Sequence, residues 1–388
     1  MSSTLTESIK KTNAYACLEC GKCTSVCPVA LFRYNGSVGT RFSPRMMLTK
    51  AVRRNYDDLF HDYDLWSCLT CRKCDLYCPS NIHYIDLIQF LRSSATDSGI
   101  DCGKCSHSGA LQALSRIMTA KDLKPNRLDW VTEDLEISTD GDMLYFVGCA
   151  PYFDAFFTDL DLSVLDAARS SIAILNKLGI SPVLLDDERC CGHDLFWNGD
   201  VETFKRLAEY NVSAIKNAGI KTILFSCAEC LNAFKKLYPE NGFAIKAELK
   251  HMSQFLAEKI SAGELELASS DKELTYHDPC RLGRHLGIYD EPRQVLSSNN
   301  DAHFYEMKQS GKRSLCCGVS AWMNCDITAK AIQIERLNQA KETGADVLAV
   351  ACPKCQIHLI CTLKNVPSNK NYEIEIRDIS SITLERME

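Results

Sequence analysis

The 388-residue sequence lacks several features that would place it in common functional classes. It has no run of about 18 apolar residues, so no segment is expected to span a bilayer. The opening MSSTLTESIKK has no apolar signal core, which predicts a cytoplasmic protein that meets a membrane only through a partner. No GxGxxG or GxxxxGK[ST] motif is found, so neither a nucleotide nor a flavin site is expected in this chain. The net charge of −6 gives no support for nucleic-acid binding.

Cysteine, in contrast, is abundant, with 22 residues. In a long chain without a signal peptide, so many thiols indicate metal ligation in a reducing, anaerobic cytoplasm rather than disulfides. Two strings have the spacing of the iron–sulfur ligands of bacterial ferredoxins. Structural zinc is the alternative, but zinc ribbons place two cysteine pairs far apart. The strings are Cys17-x2-Cys20-x2-Cys23-x3-Cys27-Pro28 and Cys68-x2-Cys71-x2-Cys74-x3-Cys78-Pro79.

Helices are predicted between and after the two strings. Ser43 offers an N-cap, Pro44 suits the first helical position, and this helix is predicted to continue to Phe60. Apolar residues from Ile85 to Leu91 predict another helix directly after the second string. These features favour a helical ferredoxin-type domain over residues 1–100, followed by a polar connector over residues 101–140.

From Met143 onward, short apolar runs alternate with helical stretches, which predicts α/β layers. A helix is predicted from Ser163 to Leu178, ending at Gly179. The predicted strands are the runs MLYFVG, PVLL, TILFS, LTYH and VLAVA. The fold class is therefore predicted as α+β multidomain, with two repeated α/β domains at residues 141–265 and 266–388.

The two α/β domains repeat one pattern of cysteines, with offsets of 131, 126 and 125 residues. Each copy has a lone cysteine, a Cys-Cys-Gly motif and a CxxC motif that follows a hydrophobic run. The first set is Cys149, Cys190, Cys191, Cys227 and Cys230, and the second is Cys280, Cys316, Cys317, Cys352 and Cys355.

Five soft thiolates in each set favour an iron–sulfur centre over a hard-metal site. In an extended chain adjacent side chains point to opposite sides, so Cys190 and Cys191 are expected to serve different irons of an enlarged cluster. A CxxC motif at the start of a helix directs both sulfurs and nearby backbone N–H groups to one point, which suits an anionic cluster. Redox disulfides or structural zinc are the alternatives.

Four cysteines lie outside these sets. Cys325 and Cys361 fall in apolar helical context, which predicts buried thiols. Cys102-x2-Cys105-x-His107 is interpreted either as a metal clip without a local fourth ligand or as structural residues.

At these motifs the chain resembles the heterodisulfide reductase iron–sulfur family. A lone cysteine, a CCG motif and a CxxC motif in this order are specific to that superfamily, and both copies have all five cysteines. The resemblance is to the D-type subunit, or to a C-type ferredoxin subunit fused to a B-type catalytic subunit. The B-type subunit of thiol:fumarate reductase and the iron–sulfur subunits of glycolate oxidase share the layout.

The resemblance implies two [4Fe-4S] cubanes, one held by Cys17, Cys20, Cys23 and Cys78 and the other by Cys27, Cys68, Cys71 and Cys74. It further implies that each five-cysteine set holds a noncubane [4Fe-4S] cluster. In the family such a cluster pair splits a substrate disulfide, with each iron site capturing one thiolate while single electrons arrive through the cubanes.

Protons for the leaving thiols need a donor, and the candidates are His193, Asp194 and His277, with packing roles as the alternative. Arg281, Arg284 and His285 form a basic patch beside Cys280 that could bind an anionic substrate or offset cluster charge.

Electrons are expected from a flavoprotein or another iron–sulfur subunit, and the substrate is expected to be a small thiol disulfide. Two other functions stay open at this point. One is a non-catalytic electron relay in a larger complex, and the other is a zinc-stabilised interaction protein.

Overall fold

The computed structural model describes residues 2–33, 42–103, 105–124, 126–299, 303–365 and 372–387. The chain divides into two units, and each consists of three segments. The smaller unit comprises Met1–Ile117, Gly192–Phe204 and Leu315–Ile334, and the larger comprises Met118–Cys191, Lys205–Ser314 and Glu335–Glu388.

Helices and short strands alternate through much of the described chain. The strands are β1 Met143–Phe146, β2 Thr222–Phe225, β3 Glu248–His251, β4 Leu274–Tyr276, β5 Phe304–Tyr305, β6 Val347–Val350 and β7 Glu375–Asp378. The α-helices are α1 Ser2–Lys11, α2 Lys22–Val26, α3 Pro28–Phe32, α4 Pro44–Val52, α5 Tyr56–His61, α6 Tyr63–Ser67, α7 Lys73–Leu76, α8 Tyr84–Asp97, α9 Ala110–Ile117, α10 Ala150–Phe156, α11 Asp166–Lys177, α12 His193–Asn198, α13 Val201–Asn217, α14 Ala228–Asn232, α15 Tyr238–Glu240, α16 Met252–Ser261, α17 Asp290–Leu296, α18 Ile327–Lys341, α19 Pro353–Asn365 and α20 Ile379–Glu385. Single 3₁₀ turns occur at Ala14–Ala16, Ser106–Gly109, Thr158–Leu160 and Gly311–Arg313, and π-helical turns at Ala233–Leu237 and Arg281–His285.

Two parallel sheets organise the larger unit. The first has the order β1-β2-β3 and the second β5-β4-β6-β7. Central strands β2 and β6 are apolar and largely buried, as expected when helices cover both faces of a parallel sheet. Strands β1, β2 and β3 correspond to β4, β6 and β7, so the repeat in the cysteine pattern is also a repeat in the fold. The predicted α/β architecture is confirmed.

The third strand of each repeat ends at the N-cap of a helix. The His251 ring nitrogen Nδ1 accepts from the Ser253 amide at 3.1 Å, and a capping box with Gln254 completes the start of α16. At the equivalent position, Asp378 accepts from the Ser380 amide at 2.8 Å at the start of α20. Both strands carry charged residues instead of an apolar run, and for that reason neither was predicted from the sequence.

The core of the smaller unit is built around α8. Leu87, Ile88 and Leu91 on this helix are fully buried, as the apolar pattern predicts. Arg92 is also fully buried, and its guanidinium donates to the carbonyl oxygens of Leu65, Cys68 and Trp197 at 2.8–3.0 Å. One buried cation therefore ties the start of the second cysteine string to the segment that follows the first Cys-Cys-Gly motif.

Two predicted helices differ in extent from the structure. Ser43 is an N-cap whose hydroxyl accepts from the Met46 amide at 3.4 Å, but the helix ends at Val52. Arg54 has a positive φ of 61°, which breaks the chain into α4 and α5. The helix predicted from Ser163 begins three residues later, at Asp166.

No helix within the described ranges is both long enough and apolar enough to cross a membrane.

Candidate metal centres

The two cysteine strings have the same local backbone geometry. Glu19 and Gly21 in the first string, and Thr70 and Arg72 in the second, have positive φ at equivalent positions. The Glu19 amide donates to the Cys17 sulfur at 3.4 Å, and the Thr70 amide donates to Cys68 at the same distance. Alternation of right- and left-handed residues turns successive amides to one side and forms a concave site for an anion, a cradle that suits an iron–sulfur cluster.

The strings surround two separate cavities in the smaller unit. The first cavity is lined by Cys17, Cys20, Cys23 and Cys78, and also by Cys74. The second is lined by Cys27, Cys68, Cys71 and Cys74. Each cavity thus combines three cysteines of one string with the last cysteine of the other, which is the arrangement that a crossed pair of ligand sets needs.

Burial acts against free thiolates at these cysteines. It raises the pKa of Cys27 and Cys74 well above the ordinary value and that of Cys68 to about 11. A bound metal supplies the positive charge that such buried thiolates require, so the donor set fits a cluster. Cys20 is exposed, whereas Cys71 is buried, and the first string is the more accessible of the two.

In the larger unit, the first five-cysteine set forms one continuous chain of sulfur contacts. Hydrogen bonding joins Cys149 to Cys190, Cys190 to Cys191, Cys191 to Cys230 and Cys230 to Cys227. The sequence-based reasoning on the adjacent pair is corrected by this geometry. Because residues 188–192 do not form a strand, the sulfurs of Cys190 and Cys191 do not point to opposite sides but contact each other.

At three positions next to the cysteines, the structure shows why glycine is required. Gly192 and Gly318, which end the two Cys-Cys-Gly motifs, have φ of 73° and 87°. A Cβ on Gly192 would lie 2.9 Å from Phe204, and one on Gly318 would lie 2.8 Å from the Ala329 carbonyl. Gly192 therefore requires a left-handed backbone and a close approach of α13, and Gly318 requires the same with α18. A Cβ on Gly148 would lie 2.8 Å from the sulfur of Cys230.

Polar side chains from α13 and α18 hold the backbone of the first and second Cys-Cys-Gly motifs, respectively. The Asn211 amide nitrogen donates to the Cys190 carbonyl at 3.1 Å, while its oxygen accepts from the Arg189 amide at 3.0 Å. In the second repeat, Gln333 donates to the Cys317 carbonyl at 3.1 Å. These contacts orient the ligand-bearing backbone in the way that outer-shell groups orient metal ligands.

A buried ion pair lies beside the first set. Arg127 and Glu188 are bonded at 2.9 Å, and both side chains are almost fully buried. Glu188 also accepts from the Gly148 amide at 2.7 Å, and Arg127 donates to the Gly148 carbonyl. Burial raises the pKa of Glu188 to about 7, and the Arg127 charge opposes that rise. Arg127 brings a cation close to Cys149, and it was missed because it belongs to the polar connector.

The two CxxC motifs meet inside the larger unit. Hydrogen bonds from Cys230 and Cys352 hold the pKa of Cys227 well below its ordinary value, so the first cysteines of both motifs are in contact. Glu229 and Lys354 occupy equivalent positions in the motifs and form an ion pair at 2.8 Å, with side chains 13% and 4% exposed. The fold therefore brings the two repeats together at their ligand loops.

The cysteines of the second five-cysteine set are distributed over the two units. Cys280, Cys352 and Cys355 belong to the larger unit, and the Cys355 thiol is in hydrogen-bonding contact with Cys352. Cys280 directly precedes the π-helical turn Arg281–His285, which packs against α14. Cys316 and Cys317 belong to the smaller unit.

The predicted proton donors occupy different environments. His193 is buried, and its Nδ1 lies 3.3 Å from an Asp194 carboxylate oxygen. His277 is also buried, and its Nδ1 accepts from Arg336 at 3.0 Å. Burial, together with the charges of Arg336 and Arg284, holds the pKa of His277 well below its ordinary value. His277 is therefore neutral at pH 7, whereas His193 has a carboxylate beside it. The donor roles stay predictions.

The predicted basic patch is buried rather than exposed. Arg281 donates to the His285 ring at 2.7 Å, and Arg284 donates to the Ser314 carbonyl at 2.8 Å. All three side chains are buried next to Cys280. The burial of all three side chains favours the interpretation that the patch offsets negative charge in the interior over binding of a substrate at the surface.

The predicted burial of the cysteines outside the sets agrees only in part with the structure. Cys325 was expected to be a buried helical thiol, but it is exposed and precedes α18. Cys361 lies on α19 as expected and is only half-buried. Cys102 is buried and Cys105 half-buried, whereas His107 is exposed.

Comparison with known proteins agrees with these features. A family model for a cysteine-rich CCG domain matches residues 143–235 and 274–360, and one for a 4Fe-4S dicluster domain matches residues 13–82. The chain is 32% identical over 374 residues to the D-type subunit of dihydromethanophenazine:CoB–CoM heterodisulfide reductase from Methanosarcina barkeri, covering 89% of this chain and 88% of that relative. It is 26% identical over 352 residues to the B-type subunit of fumarate reductase (CoM/CoB) from Methanothermobacter marburgensis, covering 88% and 67%.

A solved structure of a hypothetical protein from Helicobacter pylori has the same fold, with a TM-score of 0.58 at 12% identity, covering 94% of this chain and 72% of that one. The family resemblance inferred from the motifs is confirmed, as is the fold class. With this identity over most of its length and with both kinds of domain present, the chain belongs to the family of heterodisulfide reductase D-type subunits and is an iron–sulfur oxidoreductase subunit.

Proposed function

We propose that this chain carries single electrons through two [4Fe-4S] cubanes to two noncubane [4Fe-4S] clusters, where a small thiol disulfide is reductively cleaved. The activity is expected only in a complex with partner subunits. The proposed ligands are Cys17, Cys20, Cys23 and Cys78; Cys27, Cys68, Cys71 and Cys74; Cys149, Cys190, Cys191, Cys227 and Cys230; and Cys280, Cys316, Cys317, Cys352 and Cys355.

The observation that carries the proposal is the contact between Cys227 and Cys352. Cleavage of a disulfide produces two thiolates, and each of them needs a site. A fold that places the ligand loops of two repeats against each other supplies two sites next to each other. A relay alone would need no such duplication. The relatives named as D-type subunits of heterodisulfide reductase and as part of a CoM/CoB fumarate reductase support a mixed thiol disulfide as the substrate class.

When bound, the clusters would supply one electron at a time and irons that bind sulfur. The side chains of the protein would do the remaining work. Arg127, Arg281 and Arg284 place buried cations beside Cys149 and Cys280, where they would offset cluster charge. His193, next to the Asp194 carboxylate, is the best placed of the predicted proton donors, because His277 is held neutral.

Hydrogen bonds within the smaller unit support an order of electron flow. The Thr70 hydroxyl in the second string is hydrogen-bonded to Ser320, three residues beyond Cys317, at 2.9 Å. Arg92 links the Cys68 carbonyl to Trp197, which follows the first Cys-Cys-Gly motif. The second string thus contacts the segments that follow these motifs. Electrons are proposed to enter at the first string, which is the more accessible of the two.

A partner surface is proposed around the first string. Leu18 lies between Cys17 and Cys20 and is 71% exposed, and Met46 and Tyr77 are exposed as well. Arg45, the neighbour of Met46, donates to the Glu19 carbonyl inside the string at 3.1 Å. Exposed apolar side chains around an accessible redox centre suit docking of an electron-donor subunit, either a flavoprotein or another iron–sulfur protein.

The proposal is tested on the anaerobically purified complex, with iron and sulfide counted. Reduced viologen should drive cleavage of a mixed thiol disulfide, and Cys227→Ser should abolish turnover. Cys325→Ser is the matched control, because this exposed thiol belongs to neither set, and it should retain full activity. Absence of turnover with every disulfide tried would leave the relay as the function. A paramagnetic species that forms in oxidised protein only on addition of a thiol would argue against a relay.

A further inference from the structure

A separate cavity of about 410 Å³ lies in the smaller unit. It shares no lining residue with the cavities around the two cysteine strings. Its wall includes Cys102, Cys105, Arg116, Asn198 and Asp200. The volume is in the range of small-molecule sites. Arg116 and Asp200 form an ion pair at 2.8 Å, and the Arg116 side chain is 49% exposed, so the cavity can be reached from solvent.

Two thiols on this wall are in contact. The Cys105 thiol donates to the Cys102 carbonyl at 3.3 Å. The pKa of Cys105 is raised, first by a hydrogen bond with the Cys102 side chain and then by burial. Cysteines three residues apart whose side chains are in contact are close enough for thiol–disulfide exchange between them.

The surroundings of the pair do not favour a metal clip. Among the described residues, the wall of this cavity contains the carboxylates of Asp101 and Asp200 but no cysteine or histidine besides Cys102 and Cys105. His107, the sequence-predicted third ligand, is exposed and packs edge-on against the Trp322 ring at 6.1 Å. Structural zinc is bound by four cysteine or histidine side chains, so this pair of thiols is better suited to redox chemistry.

The loop that carries the pair is fixed to a functional segment. The Ser106 amide donates to the Trp322 carbonyl at 2.7 Å, and Gln112 donates to the Ala321 carbonyl at 2.9 Å. Cys105 also pairs with Met323 in a single β-bridge. These partners follow Cys316 and Cys317 within the same segment of the chain. A change of oxidation state at Cys105 therefore acts on a loop that is anchored to the second Cys-Cys-Gly segment.

We propose that Cys102 and Cys105 form a redox-active dithiol that is oxidised by a small disulfide bound in this cavity. One thiolate attacks a sulfur of the bound R–S–S–R′, and R′–S⁻ leaves and takes up a proton. The second cysteine loses its proton and attacks the mixed disulfide, so that R–S⁻ leaves and is protonated in turn. One small disulfide becomes two thiols, while two protein thiols become one disulfide. The site is distinct from the proposed clusters and does not depend on their function.

The test uses the anaerobic holoprotein with 2-hydroxyethyl disulfide as the probe. After alkylation, peptide mass spectrometry should show Cys102 and Cys105 joined to each other, with dithiothreitol restoring both free thiols and bound iron unchanged. Cys325 is the control, because this exposed single thiol should gain only the mass of half a probe. Cys102→Ser should convert the bridge at Cys105 into a mixed disulfide, and Cys105→Ser should do the same at Cys102.

Three results would overturn the inference. The first is independent alkylation of Cys102 and Cys105 at every probe concentration. The second is a bridge that forms only after iron has been lost. The third is about one equivalent of zinc in the native protein that disappears in Cys102→Ser, which would establish a metal site. The wild-type experiment decides the matter by itself if either variant fails to fold.

Discussion

The ion pair between Glu229 and Lys354 offers a quantitative test of how the two repeats meet. Its N···O distance is 2.8 Å, and both side chains are largely buried. Removal of one partner from a buried pair leaves an uncompensated charge and costs about 3–5 kcal/mol. Glu229→Gln and Lys354→Met should each destabilise the larger unit by about that amount. For a domain of this size, the expected fall in melting temperature is roughly 6–20 °C.

Two further variants separate charge pairing from packing. Glu229→Lys with Lys354→Glu restores opposite charges in reversed order and should recover most of the lost stability. Lys354→Glu alone places two carboxylates together and should be the least stable of the set. Anaerobic thermal unfolding, followed by circular dichroism at constant iron content, measures all of these variants. Single variants that melt within about 2 °C of the wild type would refute the reasoning, because a pair with so small an effect cannot hold the two loops together.

Three further predictions follow from the sites. Gly318→Ala should cost about 1–2 kcal/mol for the left-handed backbone plus the clash with Ala329, and should lower bound iron. Gly179→Ala has a similar φ with no atom within 4 Å, so only the backbone cost and no iron loss is expected. Asn211→Ala should cost about 1–3 kcal/mol by leaving buried Cys190 and Arg189 backbone groups unpaired, and should alter the electron paramagnetic resonance spectrum. Burial lowers the pKa of His251 to about 4 in the folded protein. As the pH falls below about 6.5, the unfolded chain therefore takes up a proton at this histidine before the folded protein does. The free energy of unfolding should decrease from about pH 6.5 toward pH 4, by about 3 kcal/mol in total. His251→Asn keeps a good N-cap and should flatten that pH dependence in unfolding measured between about pH 5 and 7, whereas an unchanged slope would contradict the assignment.

The cysteine ligand motifs and the repeated domain could be predicted from the sequence because both depend on local patterns. Apolar runs marked β1, β2, β4 and β6, and the spacing of ligands identified both kinds of motif. Strands β3 and β7 were not predicted, since ELKH and EIRD are edge strands whose charged residues hide the alternation. PVLL was predicted to be a strand, but only Val183 forms isolated bridges.

Other features depend on tertiary packing and carry no local signal. The segments Gly192–Phe204 and Leu315–Ile334 belong to the smaller unit, although the first begins with the glycine of one Cys-Cys-Gly motif and the second contains the other motif. Arg127 lies in a polar connector, and only the fold brings it to Cys149. The four-part domain division predicted from the sequence stays a prediction, because the two units interleave along the chain.

The two repeats match in backbone but differ in charge at the positions where they meet. Identical residues at facing positions would place two carboxylates or two ammonium groups together in a buried site, which is unfavourable at low dielectric. Glu229 and Lys354 avoid this by taking opposite charges. Burial also acts against charge at His251 and Asp378, since it lowers the pKa of the first to about 4 and raises that of the second to about 7. An internal repeat that buries its own contact surface must therefore diverge there, and this divergence makes the two candidate metal centres chemically unequal.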